Sequence, residues 1–305
     1  AAYLGYGLKV KRLSGRLGLR YEHTIQDVKY LVVRGEDFTK NFDDVVPSAS
    51  IGYKLTDMSN LRLGYNMRIY RPGIWSLNPY LNDTDPSYIS QGNPKRHAFN
   101  LSYSNFTQKF NINISARYSF TNNSIENVTR LMPDTEIEGL KNPTGKDVLY
   151  STYANIGKTR YASVNGYVNW NATPRTRIYM NMSGNYSYLE GSEGMRNDGW
   201  SLFAYGGAQG AQQTLPHDWR ISLNVFGQTP WIMLQGKGSS FFDYGLSVNK
   251  SFLDKRLTLS AFASNFFKKY MDQSSTTEGS GFIRESNYKY SRQRFGISVS
   301  YRIGE

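Results

Sequence analysis

Three histidines, His23, His97 and His217, are the only imidazoles in 305 residues, and the chain has no cysteine. Thiol nucleophiles, disulfides and zinc–thiolate centres are therefore excluded together. No histidine has a neighbour at metal-ligand or triad spacing, and His217 sits in a "PHD" turn where a solvated side chain is expected. A serine–histidine–aspartate site can assemble from distant segments, so a hydrolase stays a minor alternative that no residue pattern marks out. "GKGSS" (Gly236–Ser240) has the lysine and serine of a phosphate loop but lacks the earlier glycine at the required spacing, and reads as a hairpin. Asp43, Asp44, Asp83 and Asp85 offer oxygens suited to a hard cation; solvated loop carboxylates or turn formers explain them as well. No cofactor is implied by any of these groups.

Composition bounds the setting in which such residues must work. Lys and Arg total 36 against 24 Asp and Glu, a net charge of +12, but the basic residues are scattered rather than clustered, so no nucleic-acid partner is expected. The chain carries 24 Tyr and 16 Phe, yet its mean hydropathy is only −0.55. Aromatic-rich and hydrophilic together follow when apolar and polar residues alternate one for one. No segment approaches the roughly 20 apolar residues of a membrane-spanning helix, and "AAYLGYGLKV" does not read as a signal peptide.

Alternation is what the segments show. "LRLGYNMRI" places Leu61, Leu63, Tyr65, Met67 and Ile69 on one face and Arg62, Gly64, Asn66 and Arg68 on the other. "FNINISARYSF" (110–120), "RIYMNMSGNYSY" (177–188), "RISLNV" (220–225), "RLTLSAFA" (256–263) and "RFGISVSYRI" (294–303) repeat the scheme, and no helical period is found. The recurring Asn-x-Ser triplets are a by-product of this period, not glycosylation signals. Connections alternate between short turns, near 11–15, 55–60, 105–109, 172–176, 215–219 and 252–256, and long polar loops, near 30–42, 72–95, 132–147, 190–198 and 271–281. One connection that should be long, near 236–239, reads as short. Short turns on one side and long loops on the other predict an all-β, antiparallel transmembrane barrel, because lipid forces every strand edge to be paired. About 13 strands are counted. A last strand ending on the short-turn side then requires the first to start on the long-loop side. The chain is therefore expected to be a single domain, 1–305, forming the C-terminal part of a larger barrel.

Residues 67–94, "MRIYRPGIWSLNPYLNDTDPSYISQGNP", resemble the Bacteroidota outer-membrane β-barrel family related to TonB-dependent receptors; "GLRYEHT" (18–24), "NFDDVVPSASIGYKL" (41–55) and "KSFLDKRLTLS" (250–260) resemble it too. The resemblance implies a barrel of roughly 22 strands. It also implies a plug domain, the remaining N-terminal strands and a TonB-contact segment, none of them visible in these residues. Arg294, Gly296, Val299 and Tyr301 resemble the assembly signal of a barrel's last strand, with Val299 in place of the usual aromatic, which implies the barrel-assembly machinery as a partner. A surface lipoprotein is a further partner seen among related glycan receptors.

The function so implied is nutrient uptake across the outer membrane, with outer-membrane lipid as the surrounding medium and no bond chemistry. The alternatives are a passive pore, a structural or surface-interaction barrel, and, from outside the membrane class, a soluble all-β adhesin. Trp75, Tyr80, Asp83, Asp85 and Tyr88 are candidate ligand contacts in a long loop; the aromatics among them fit the rim of a barrel equally. Arg62, Arg68, Arg117, Arg177 and Arg220 fall on the polar face, where they would face either anionic cargo or the carboxylates of a plug.

Overall fold

A computed structural model describes residues 1–29, 38–70, 94–137, 143–191, 194–210 and 219–303. The strands are β1 (Ala2–Val10), β2 (Leu13–Val28), β3 (Phe38–Lys54), β4 (Ser59–Ile69), β5 (Lys95–Phe106), β6 (Phe110–Pro133), β7 (Asp147–Thr173), β8 (Thr176–Glu190) and β9 (Arg196–Gly210). They continue as β10 (Trp219–Gln228), β11 (Ile232–Met233), β12 (Gly236–Lys237), β13 (Phe241–Phe252), β14 (Leu257–Ser264), β15 (Tyr270–Gly279), β16 (Phe282–Ser291) and β17 (Arg294–Tyr301). Thirteen of them form one antiparallel sheet in the order β1 to β10, then β13, β14 and β17. The number agrees with the count from alternation. The sheet is open, with β1 and β17 at its two edges.

Period-two register sorts the side chains. In β17, Phe295, Ile297, Val299 and Tyr301 are all exposed on one face. The same outer face carries Leu61 and Leu63, Ile114, Val164, Met180 and Met182, Leu202, and Leu223. Such a contiguous apolar band has no place in water. Along β7 it runs from Trp170 to Ala162, where Ala162 is flanked across the strands by Tyr118 and Tyr186. Eight residues at about 3.3 Å each give about 26 Å along the strand, close to the roughly 25 Å apolar belt of an outer-membrane barrel. Aromatics mark both limits: Trp170 below, and Tyr118, Tyr186 and Trp200 above. The Tyr186 and Trp200 rings lie 5.4 Å apart.

The strands at the long-loop rim overshoot that belt. β6 and β7 have 24 and 27 residues, more than twice the about 10 needed to cross. A bulge at Asn122–Asn123, with Asn123 at φ +56°, shifts the β6 register. It turns Ser124, Glu126 and Val128 inward, so that an apolar residue enters the inner side above the belt. At the tip of this hairpin Asp134 is buried and accepts the Thr144 N–H and hydroxyl, both at 2.7 Å, and the Gly145 N–H at 2.7 Å. The Thr144 N–H bond, followed by the others, holds its carboxyl below the ordinary range. A lowered folded-state value means the clamp contributes fully above the ordinary carboxylate pKa and is lost as pH falls through the lowered one. Amide exchange should therefore show Thr144 and Gly145 protected at neutral pH and released in acid, and Asp134→Asn should release them at pH 7.

Two connections differ from the sequence expectation. The chain between β10 and β13 is not a short turn: residues 229–240 hold the β11–β12 hairpin, so the alternation of short and long connections has no exception there. The stretch 271–281 is not irregular, because β15 and β16 pair over ten residues each. The polar sequence "MDQSSTTEGSGFIRESNYKY" conceals this hairpin because it meets water rather than lipid and needs no apolar alternation. The two hairpins join into a four-stranded sheet, β11-β12-β15-β16.

Candidate functional site

The inner face of the main sheet is polar, as alternation requires. Arg62, Arg68, Arg117, Arg177 and Arg220 all lie on it, opposite the apolar band, and Arg96 joins them as the direct cross-strand partner of Arg68. Two guanidinium groups placed opposite one another on a wall are unfavourable unless an anion comes between them. Arg20 is paired with Glu22 at 2.8 Å, and Arg177 donates from Nε to Asn169.

One feature of this wall escaped the sequence reading. Tyr179, Phe203, Tyr205, Phe226 and Phe241 occupy inner-face positions and touch in series. Ring centroids are 5.7 Å apart for Tyr179–Tyr205, 6.3 Å for Tyr205–Phe226, 5.1 Å for Phe203–Phe226 and 4.9 Å for Phe226–Phe241. They come from four strands, Phe203 and Tyr205 both from β9, so register is what brings the set together. Above Phe241 the Arg292 guanidinium is ion-paired with Asp243, and Asn265 donates to the same carboxylate at 2.8 Å. This latch fixes the base of the β15–β16 hairpin to β13.

The four-stranded sheet lies at the long-loop rim, against β9 and the overshooting part of β6. Its seat is an apolar cluster of Val128, Leu189 and Leu234, with Tyr161, Met195 and Ile232 packed around it. The fit is close at Gly199, where an added Cβ would come within 2.9 Å of the Ile232 side chain. Two amides pin the β11–β12 hairpin. Asn197 Nδ2 donates to the carbonyls of Met233 at 2.7 Å and Gly236 at 2.8 Å. Gln235 accepts from the Thr129 N–H at 2.7 Å and donates to the Thr129 carbonyl at 2.9 Å. Gln235→Ala removes both bonds to Thr129, and faster exchange of the Thr129 amide by about tenfold is expected, at about 1 kcal/mol or more per lost pair.

Between this sheet, the β6 edge and the β8–β9 turn lies a cavity of about 780 Å³, with Leu131, Met195 and Leu234 as its apolar lining and Arg130, Arg196, Lys237 and Glu278 as its charged groups. That size lies within the usual range of ligand sites. A hollow of about 790 Å³ along β1 to β4 is bounded by the open edge of the sheet and carries less weight as a site.

Trp75, Tyr80, Asp83, Asp85 and Tyr88 lie outside the described residues, as does His217. Asp43 accepts from the Tyr21 hydroxyl at 2.5 Å and pairs with His23 Nδ1 at 2.8 Å; Asp44 is buried and pairs with Lys95 at 3.0 Å. Among the described residues no group of three His, Asp or Glu is placed to hold a metal. Arg294 and Gly296 face inward on β17, opposite Ser264 and Phe262, while Val299 and Tyr301 face outward. The Phe262 ring covers Gly296 in the space a Cβ would need.

Comparison with known proteins agrees with this geometry. The chain superposes on the copper transporter OprC with a TM-score of 0.66 at 14% identity, over 98% of this chain and 49% of that one. The ferric citrate transporter FecA in its unliganded form gives 0.67 at 14% identity, over 98% and 44%. The ferric yersiniabactin uptake receptor FyuA from Yersinia pestis gives 0.62 at 16% identity, over 96% and 43%. The chain thus spans a little under half the length of these structures, and at such identities the likeness is one of fold. No curated protein matches. The model of the outer membrane protein beta-barrel family matches residues 1–301, and the chain belongs to that family of the Gram-negative outer membrane.

Proposed function

We propose that the chain is the C-terminal part of a TonB-dependent outer-membrane transporter, and that its long-loop rim is the extracellular mouth at which cargo is captured. The observation that carries this reading is the four-stranded sheet seated over the inner side of the rim, where it borders a ligand-sized, partly open cavity above an arginine-rich wall. A passive pore has no need of such a cover. The solved transporters on which the chain superposes take copper, ferric citrate and ferric yersiniabactin by their titles. Their cargo is not carried over to this chain. In this reading the inner arginines meet the carboxylates of a plug, since charge in a filled lumen needs partners. The chain supplies wall and mouth and performs no bond chemistry. In this reading β17, with Arg294, Gly296, Val299 and Tyr301, is the strand that the assembly machinery recognises.

The test uses the full-length protein in planar bilayers and in pull-down with the periplasmic domain of TonB. A plugged transporter is electrically silent and retains the TonB domain. Steady conductance without TonB retention would establish the passive pore instead.

A further inference from the structure

Above the bulge, β6 is ladder-paired with β7 on one side and with no described strand on the other, where β15 approaches without pairing: its pairing with β5 ends at Asn122, while its pairing with β7 continues to Pro133. In an antiparallel pair, alternate residues turn their N–H and C=O groups toward the same side. Thr129 shows which ones face away from β7, because both its groups are taken by the Gln235 side chain. Leu131, two residues on, therefore points its N–H and C=O the same way, into the cavity it lines. Pro133, two further on, has no N–H to offer, as is usual where a strand edge is left without a ladder partner. The Gln235 amide stands in for one peptide group of a missing strand, and the rung beside it belongs to Leu131.

Charges frame this rung. Glu278 donates its N–H to the Gln235 carbonyl at 2.8 Å, so its carboxylate is carried close to the Gln235 rung. Lys237 follows Gln235 by two residues in β12, and Arg130 lies between the two edge residues of β6. A cavity with one carboxylate, three cations, of which Arg196 already faces Asp198 at 3.6 Å, an apolar floor and an exposed backbone rung has the chemistry of an extended zwitterionic chain.

We propose that this cavity binds a short peptide, of about three to five residues, by β-strand addition to β6 at Leu131. The peptide ammonium lies toward Glu278 and its carboxylate toward Lys237. The inference deepens the transporter reading and rests on it for the peptide's role as cargo. The stretch "GKGSS", which holds no phosphate loop, here supplies the lysine that receives a carboxylate.

Equilibrium dialysis of the purified full-length protein tests this, with bound molecules counted by mass spectrometry. The probes are a synthetic pool of tetrapeptides with free termini, the same pool acetylated and amidated, and maltotetraose. The free pool is expected to be retained, and capping both ends should lower retention about tenfold. Leu131→Pro removes the outward N–H, is tolerated at a strand edge, and should lower retention of the free pool several-fold, as should Lys237→Gln; Leu131→Ala, which keeps the N–H and shortens the side chain, should lower it less. Lys289→Gln, on β16 and outside the cavity lining, should leave retention unchanged. Heat-modifiable gel mobility verifies that each variant is folded. Failure to retain free peptides, or retention indifferent to capping and to Leu131→Pro, overturns the proposal. Retention of maltotetraose in place of peptides makes the cavity a glycan site. Dialysis needs no TonB, so a negative result here with TonB retention intact defeats the peptide and leaves the transporter reading standing.

Discussion

Met182→Arg is expected to destabilise the folded protein in lipid by about 2–4 kcal/mol, the cost of an arginine on the lipid face near the bilayer midplane. Met182 lies on the outer face of β8, midway between Ile178, the cross-strand partner of Trp170, and Tyr186 of the upper aromatic row. It is 48% exposed, which in a membrane means contact with acyl chains. Ser183→Arg, one residue along, places the same charge on the inner face and should change stability by less than about 1 kcal/mol. Denaturant titration of the full-length protein in vesicles compares them. Equal effects would mean that both faces meet the same medium, as in a soluble β protein, and the membrane assignment would fail.

The second large effect is expected at Gly296→Val. Gly296 is the cross-strand partner of Phe262, whose ring occupies the volume a side chain would need. Forcing a β-branched residue beneath that ring costs about 1–3 kcal/mol by overpacking. The cost falls on the β14–β17 pairing that completes the sheet. Folded, heat-modifiable protein in the outer membrane should drop to a small fraction of the normal level. The double variant with Phe262→Ala removes the ring and should recover most of it. Normal assembly of Gly296→Val, or no recovery in the double variant, would show that the glycine acts other than through the space it leaves.

These residues also show how far the sequence could be read. Strands in contact with lipid announce themselves, because one face must be apolar at every second residue. "FNINISARYSF" and "RFGISVSY" fixed their own faces, and with them the inward arginines and the strand count. The β15–β16 hairpin gave no such signal, since both its faces are free to be polar. The inner aromatics Tyr179, Phe203, Tyr205, Phe226 and Phe241 were equally hidden: they break the pattern of their strands at one or two positions, and their meeting depends on the registers of β8, β9, β10 and β13. The cavity depended on still longer connections. Gln235 reaches Thr129 across 106 positions, and a bulge two asparagines long decides that Val128 rather than its neighbour seats the cover.

The most direct test of the whole account is a single-cysteine scan of β10 from Ile221 to Gln228 in the full-length protein in vesicles. This chain has no cysteine of its own to obscure the label. A fluorophore at Ile221, Leu223 and Val225 should be quenched by nitroxide lipids and spared by a water-soluble quencher. At Ser222, Asn224 and Gln228 the order should reverse. Alternation at period two would establish the wall of an outer-membrane barrel with one face in lipid. Uniform quenching by the aqueous reagent at all these positions would contradict it.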